Sequence, residues 1–140
     1  PILNAHEIEA GQTLTVDGPG GTLELQAFLQ LHGDINSLGF RLHDFAYSCD
    51  LSGFPESAHA AISGLSIWII AALRPIPHPS HLSLGETLDL IDRFAPRQAV
   101  LTDMHIDLDY AQTEAATPDN VTPAFDGMKI DVLNGQILNR

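Results

Sequence analysis

The chain has 140 residues, 44% of them hydrophobic, and its six basic and eighteen acidic side chains give a formal charge of −12 at pH 7. One domain of this length buries on the order of two thirds of the surface its unfolded form exposes, and an acidic surface without a basic cluster excludes a nucleic-acid interface built on a positive patch. The longest apolar run, Ile67 to Leu73, falls far short of the ~20 residues of a membrane span.

Cys49 is the single cysteine, so there is no intrachain disulfide, which fits a reducing cytoplasm. The amino terminus lacks the basic-then-apolar pattern of a signal peptide. Beginning at Pro1 without a methionine, the chain reads as processed, trimmed or excerpted.

The first half reads as β structure. Ile2 to Ile8, Thr13 to Val16 and Thr22 to Leu31 are apolar-rich runs, and Asp17-Gly18-Pro19-Gly20-Gly21 between the last two is a turn signal. Ser37 to Leu42 and Phe45 to Cys49 follow, joined by His43-Asp44, a pair suited to a two-residue hairpin connection. These five runs predict an antiparallel meander.

From Pro55 the pattern changes. Pro55-Glu56-Ser57 carries a helix-start signature leading through Ala58 to Ser63 and stopping at Gly64. Ile67 to Ala72 reads as a strand buried on both faces. Ser83 caps a predicted helix whose apolar residues Leu84, Leu88, Ile91 and Phe94 recur every three to four positions and which ends before Pro96. Gln98 to Thr102 is the next buried strand, so a βαβ unit of two parallel neighbours is expected from Ser66 to Thr102. Ala111 to Thr122 reads as a weak helix and loop, and Met128 to Val132 with Gln136 to Leu138 as a closing hairpin around Asn134-Gly135.

Candidate chemistry falls at the ends of apolar runs, where a buried strand holds its last side chain rigidly at the sheet rim. His32 precedes Gly33 and serves either as a metal ligand or as a polar residue in a strand-to-loop turn. Asp50 follows the run ending at Cys49, and its two oxygens can bridge two cations or cap the following turn. His81 closes the proline-stiffened loop Pro75-Ile76-Pro77-His78-Pro79-Ser80-His81, two residues before the helix cap. His105 lies among Asp103, Asp107 and Asp109, a composition shared by metal sites and exposed acidic loops. His6, His43 and His59 have no comparable context.

Together these residues resemble the metallo-β-lactamase-fold hydrolases, in particular the branch like the phosphoribosyl cyclic phosphate phosphodiesterase of phosphonate breakdown. The carriers are Leu31-His32-Gly33-Asp34-Ile35-Asn36-Ser37-Leu38-Gly39-Phe40-Arg41, Tyr47-Ser48-Cys49-Asp50 with Phe54-Pro55-Glu56, Ala72-Leu73-Arg74 with Pro77-His78-Pro79-Ser80-His81, Leu101 to Tyr110, and Pro123 to Met128. The resemblance implies an α+β fold, the αββα sandwich, with two divalent ions, zinc or manganese, at the rim between its sheets. It implies His32 on the first ion, Asp50 bridging both and His105 on the second. His81 would contact a phosphodiester substrate or protonate its leaving group.

The resemblance has gaps. The family's leading metal motif, His-x-His-x-Asp-His, does not occur in these 140 residues. The expectation is therefore one incomplete domain, the carboxy-terminal portion of a longer enzyme, or a degenerate relative. Ala71 stands where relatives commonly carry aspartate, and Asp103 where histidine or asparagine is usual. The competing reading is a catalytically inactive binding or assembly module with a vestigial half-site. An isolated half-sandwich exposes a bare sheet face, for which aggregation or a homodimer is expected.

Overall fold

The fold was established from a computed structural model, which describes residues 2–139. Seven strands form one mixed sheet in sequential order: β1 (Thr13–Gly18), β2 (Gly21–His32), β3 (Ile35–Leu42), β4 (Phe45–Ser48), β5 (Ile67–Ala71), β6 (Gln98–Thr102) and β7 (Val121–Pro123). The first four are antiparallel neighbours, and β4 to β7 run parallel to one another. The predicted meander and βαβ unit are both present, and the α+β class holds. A short ribbon of β8 (Ile130–Asp131) and β9 (Gln136–Ile137) closes the chain as predicted.

Helix α1 (Leu84–Phe94) carries the β5-to-β6 crossover, and α2 (Tyr110–Ala116) the one from β6 to β7. Ser83 caps α1 with a reciprocal capping box to Glu86, whose carboxyl the Ser83 hydroxyl and backbone hold below the ordinary range. At the other end Ala95 turns left-handed before Pro96.

One face of the sheet is dry. Phe28, Ala46, Trp68, Ile70, Ala99, Leu101 and Val121 pack there with Leu51, Ala58, Ile62, Leu65 and Ile91 of the connections. Trp68 is its largest fully buried side chain, touching the rings of Phe54 and Phe94 and donating its indole N–H to the Ser48 hydroxyl at 3.0 Å. The register puts the opposite side-chain set on the other face: Leu14 across from Leu25, Val16 from Leu23, Leu29 from Leu38, and Phe40 beside Tyr47, itself paired with Ile69. None of these is fully buried, and Val16, Leu23 and Tyr47 are exposed, whereas Ala27, Ile67, Val100 and Thr122 on the same face are buried. The face is thus open to solvent mainly over β1 to β4.

Three sequence expectations are corrected. Ile2 to Ile8 forms no strand: Ile2 and Leu3 are exposed and no strand pairs there, so the run has no buried face to hold it against the sheet. The helix expected after Pro55 shrinks to a single 3-10 turn, Glu56–Ala58. The Arg41 guanidinium takes the carbonyls of residues 60, 61 and 63, groups a continuing helix would use internally. Val121–Pro123, read as loop, is the parallel edge strand β7. Proline fits there because an edge strand can spare an N–H. Among the described residues no helix is long and apolar enough to cross a membrane.

Candidate metal centre

Strand direction decides which residues meet. Strands β2, β4, β5 and β6 all run the same way, so their carboxyl ends share one rim of the sheet, the usual place for a site in such sheets. His32 ends β2, Asp50 stands two residues beyond β4, Asp103 follows β6, and His81 lies on the loop after β5. Backbone hydrogen bonds stitch the four segments together. Ser52 N–H donates to Leu31, Leu82 to Leu51, Leu73 to Leu82, and His105 to Leu73.

Each side chain is held locally. The carbonyl of Ser80 accepts from His32 Nδ1 at 2.7 Å, so the proton sits on Nδ1 and the Nε2 lone pair is left for a ligand. Gly33 makes that approach feasible. Its φ is +60°, and a Cβ there would stand 2.9 Å from Ser80 Cβ. Gly33→Ala is therefore expected to cost about 1–3 kcal/mol, read by thermal denaturation, and to weaken metal binding by pushing the Ser80 loop off His32. An unchanged melting curve and an unchanged metal titration would both contradict this.

The backbone at Asp50 is pinned from below by Gln30 Nε2 to the Cys49 carbonyl and Ser37 Oγ to the Asp50 carbonyl. Arg74 clamps the proline loop through the carbonyls of Ile76 and Pro77. Asp50 and Asp103 are both left-handed, with φ of 54° and 57°. This conformation costs energy and recurs at functional sites, with aspartate among the residues that tolerate it best.

Two clusters result. His32, Asp50 and His81 bring one ligand atom each to within 4.8 Å of one another, and so do Cys49, Asp50 and Asp103. Asp50 belongs to both. The rings of His32 and His81 meet edge to face at 4.7 Å, and His78 lies 5.2 Å beyond His81. His81 Nδ1 is buried without a hydrogen-bond partner, although the Asp103 carboxylate is 3.5 Å away. The separation suits an ion pair but not an aligned hydrogen bond.

These residues fit divalent cations. Donors bound about 2.0–2.3 Å from one ion lie within such a span of each other, and a buried nitrogen without a partner is costly unless something occupies it. Without a cation, the Cys49 thiol is held above its ordinary range. Burial is the main cause, partly offset by a hydrogen bond from the Tyr47 hydroxyl, and the charges of Asp103 and Asp50 raise it further. The Tyr47 hydroxyl is pushed up to about 12 by burial, by its bond to Cys49 and by the same negative charges. His78 is held below the ordinary histidine range by desolvation, then by the charges of Arg74, His81 and His32.

His32, Asp50 and His81, picked from sequence, are thus brought together. His105 stands apart, its ring 3.1 Å from Asp107 and its side chain 55% exposed, outside both clusters. Sequence reasoning named Asp103 beside His105 without assigning it a ligand role, and gave Cys49 none. Asp103 directly follows Thr102, the last residue of β6, so it stands at the strand end itself and His105 two residues beyond it.

The sequence profile described as "Beta-lactamase superfamily domain" matches residues 1–106. The chain belongs to that superfamily. No curated protein matches it by sequence. Among solved structures, a diphosphatase described as belonging to the PhnP family superposes with a TM-score of 0.82 at 24% identity, over 90% of this chain and 48% of the other. The metallo-beta-lactamase fold protein YhfI from Bacillus subtilis gives 0.64 at 15% identity, over 84% and 51%. The short form of human tRNase Z gives 0.59 at 18% identity, over 79% and 43%. This superfamily chain thus spans about half the length of the structures it matches, and the likeness establishes the shared fold.

Proposed function

We propose that the chain carries the carboxy-terminal share of a dinuclear metal centre that hydrolyses a small phosphodiester or related phosphoryl compound. The observation that carries the reading is the pair of ligand clusters sharing Asp50. One carboxylate with a cluster on each side is what a bridged pair of ions requires. His32 and Asp50 would hold the first ion, and Asp50 with Asp103 or His105 the second. When bound, two divalent ions supply the Lewis-acid charge that offsets negative charge developing on a phosphoryl group.

The chain's own residues do the rest. His81, its side chain 19% exposed at the rim with the Asp103 carboxylate 3.5 Å from its Nδ1, serves as the acid for the leaving oxygen. A cleft of about 500 Å³ opens next to Asp103, lined by Met104, Phe125, Asp126 and Met128, which suits a small organic substituent on the phosphate. Superfamily membership and the fold shared with a diphosphatase and with tRNase Z support phosphoryl chemistry. The cytoplasm is the proposed compartment.

The exposed part of this sheet face is where a second sheet would seat, provided by the rest of the protein or, as an alternative, by a second copy, and it would bring further ligands to the rim.

The test is metal dependence. Exhaustive chelation of the protein as its gene encodes it is expected to abolish hydrolysis of a chromogenic phosphodiester, and zinc or manganese to restore it. Full turnover after the metal has been removed would overturn the reading in favour of a different chemistry, and no metal uptake at all would favour the inactive binding module.

A further inference from the structure

The dry face of the sheet holds a polar side chain that packing alone does not explain. Gln30, on β2 two residues after Phe28, is fully buried, and its Oε1 has no hydrogen-bond partner among the described residues. We propose that Gln30, acting with Ser37, is the positioning residue of the metal centre, and that it sets the left-handed backbone on which the Asp50 carboxylate reaches both ligand clusters. The inference rests on the proposed metal centre and deepens it by naming what holds the shared ligand in place.

Three observations support it. Gln30 Nε2 donates to the Cys49 carbonyl at 2.9 Å and to Ser37 Oγ at 3.1 Å, and Ser37 Oγ donates to the Asp50 carbonyl at 2.6 Å. One buried amide thus fixes the planar peptide groups on both sides of the Asp50 α-carbon, which leaves that residue's two backbone dihedrals little freedom. Asp50 needs such a hold, because its φ of 54° is a conformation that a residue with a side chain adopts at a cost. Space is also made for the amide. Gln30 lies across from Ser37 in the β2–β3 register, and Phe28 across from Gly39. Gly39 is buried, and a Cβ there would stand 2.6 Å from Gln30 Oε1 and run into the Phe28 ring.

The alternative role for Gln30 is to clip β2 to its neighbours. Backbone pairing already joins β2 to β3 from Gln26 opposite Arg41 to His32 opposite Ile35, so that role is filled without it. A buried oxygen left without a donor also costs free energy, which an apolar side chain of similar length would avoid. The amide gives up stability in the core, and its two bonds lead to the carbonyls that flank the shared ligand.

The test separates position from stability. Zinc affinity of the whole protein is measured by competition with a chromophoric chelator, well below the melting transition, and melting of the metal-free form is measured beside it. Ser37→Ala frees only the Asp50 carbonyl and is expected to weaken zinc binding by about 10–100-fold, with little change in the metal-free melting curve. Gln30→Met frees both carbonyls and removes the orphaned oxygen, and should weaken zinc binding at least as far. Zinc affinity unchanged in the folded variants overturns the assignment, whatever melting does, and leaves the metal centre standing. A parent protein that takes up no zinc overturns the assignment and the metal centre together. Should one variant fail to fold, the other decides. If neither folds, the network holds the sheet and not the aspartate, and the assignment falls.

Discussion

Asp50→Ala will empty both halves of the centre at once. Elemental analysis is expected to show the metal complement of the purified protein falling from about two ions to none, and turnover of a phosphodiester falling by at least about a thousandfold. The size follows from position. Loss of a partner that merely orients a ligand costs about 10–100-fold in metal affinity or activity, whereas Asp50 is the one residue common to the two clusters. Removing it also lifts a negative charge from beside Cys49 and Tyr47.

Asp50→Asn is the sharper companion. Its side chain keeps the shape and the left-handed tolerance that φ of 54° requires, while the carbonyl pinned by Ser37 is untouched. The protein should melt like the parent and still lose its metal. Retention of two ions in Asp50→Asn would show that the shared carboxylate does not bridge. Loss of the fold in both variants would assign Asp50 a structural role instead.

The largest effect on stability is expected at Trp68. Trp68→Ala should cost about 3–5 kcal/mol, a large share of the about 5–15 kcal/mol that holds a typical domain together. Trp68 is fully buried, sits against Phe54 and Phe94, and satisfies the buried Ser48 hydroxyl. Alanine leaves a void between sheet and helix α1 and strips Ser48 of its donor. Trp68→Phe separates the two contributions, since it refills most of the volume and loses only the hydrogen bond. Chemical denaturation should place it at about 1–2 kcal/mol below the parent. A loss in Trp68→Phe equal to that in Trp68→Ala would mean that the hydrogen bond, not the packing, dominates.

The Trp68 and Asp50 results also bear on each other. Strand β4 ends at Ser48, two residues before Asp50, and Trp68 on β5 is paired with Ala46 of β4. A loosened Trp68 therefore reaches the metal rim through the strand that delivers the shared carboxylate. Metal binding should restore part of the lost stability, because a ligand that binds only the folded form adds to its free energy. Melting Trp68→Ala with and without zinc measures that linkage.

Much of this protein can be read from its residues alone. Alternating and continuous apolar runs mark β1 to β6, the Ser83 cap and the spacing of Leu84, Leu88, Ile91 and Phe94 mark α1, and the two-residue break at His43-Asp44 marks a hairpin. These features follow from local sterics and from which side chains avoid water, both carried by short stretches of sequence. The same locality explains the misreadings. Ile2 to Ile8 has strand-like residues but buries none of them against the sheet, Ala58 to Ser63 has helix-like residues whose carbonyls Arg41 captures from β3, and Val121–Pro123 is a strand only because β6 offers it an edge.

The centre divides in the same way. Strand ends next to glycine, proline and acid pointed to His32, Asp50 and His81. That Asp103 and Cys49 lie beside Asp50 while His105 stands apart depends on side-chain direction at a rim assembled from four separate strands, on two left-handed aspartates, and on loops tied together by backbone hydrogen bonds. Sequence by itself determined the elements and the chemical types of the candidate site residues, because those depend on neighbours along the chain. Only the tertiary structure decided which of these residues converge, because convergence within a few ångströms is a property of packed strands and not of any one of them.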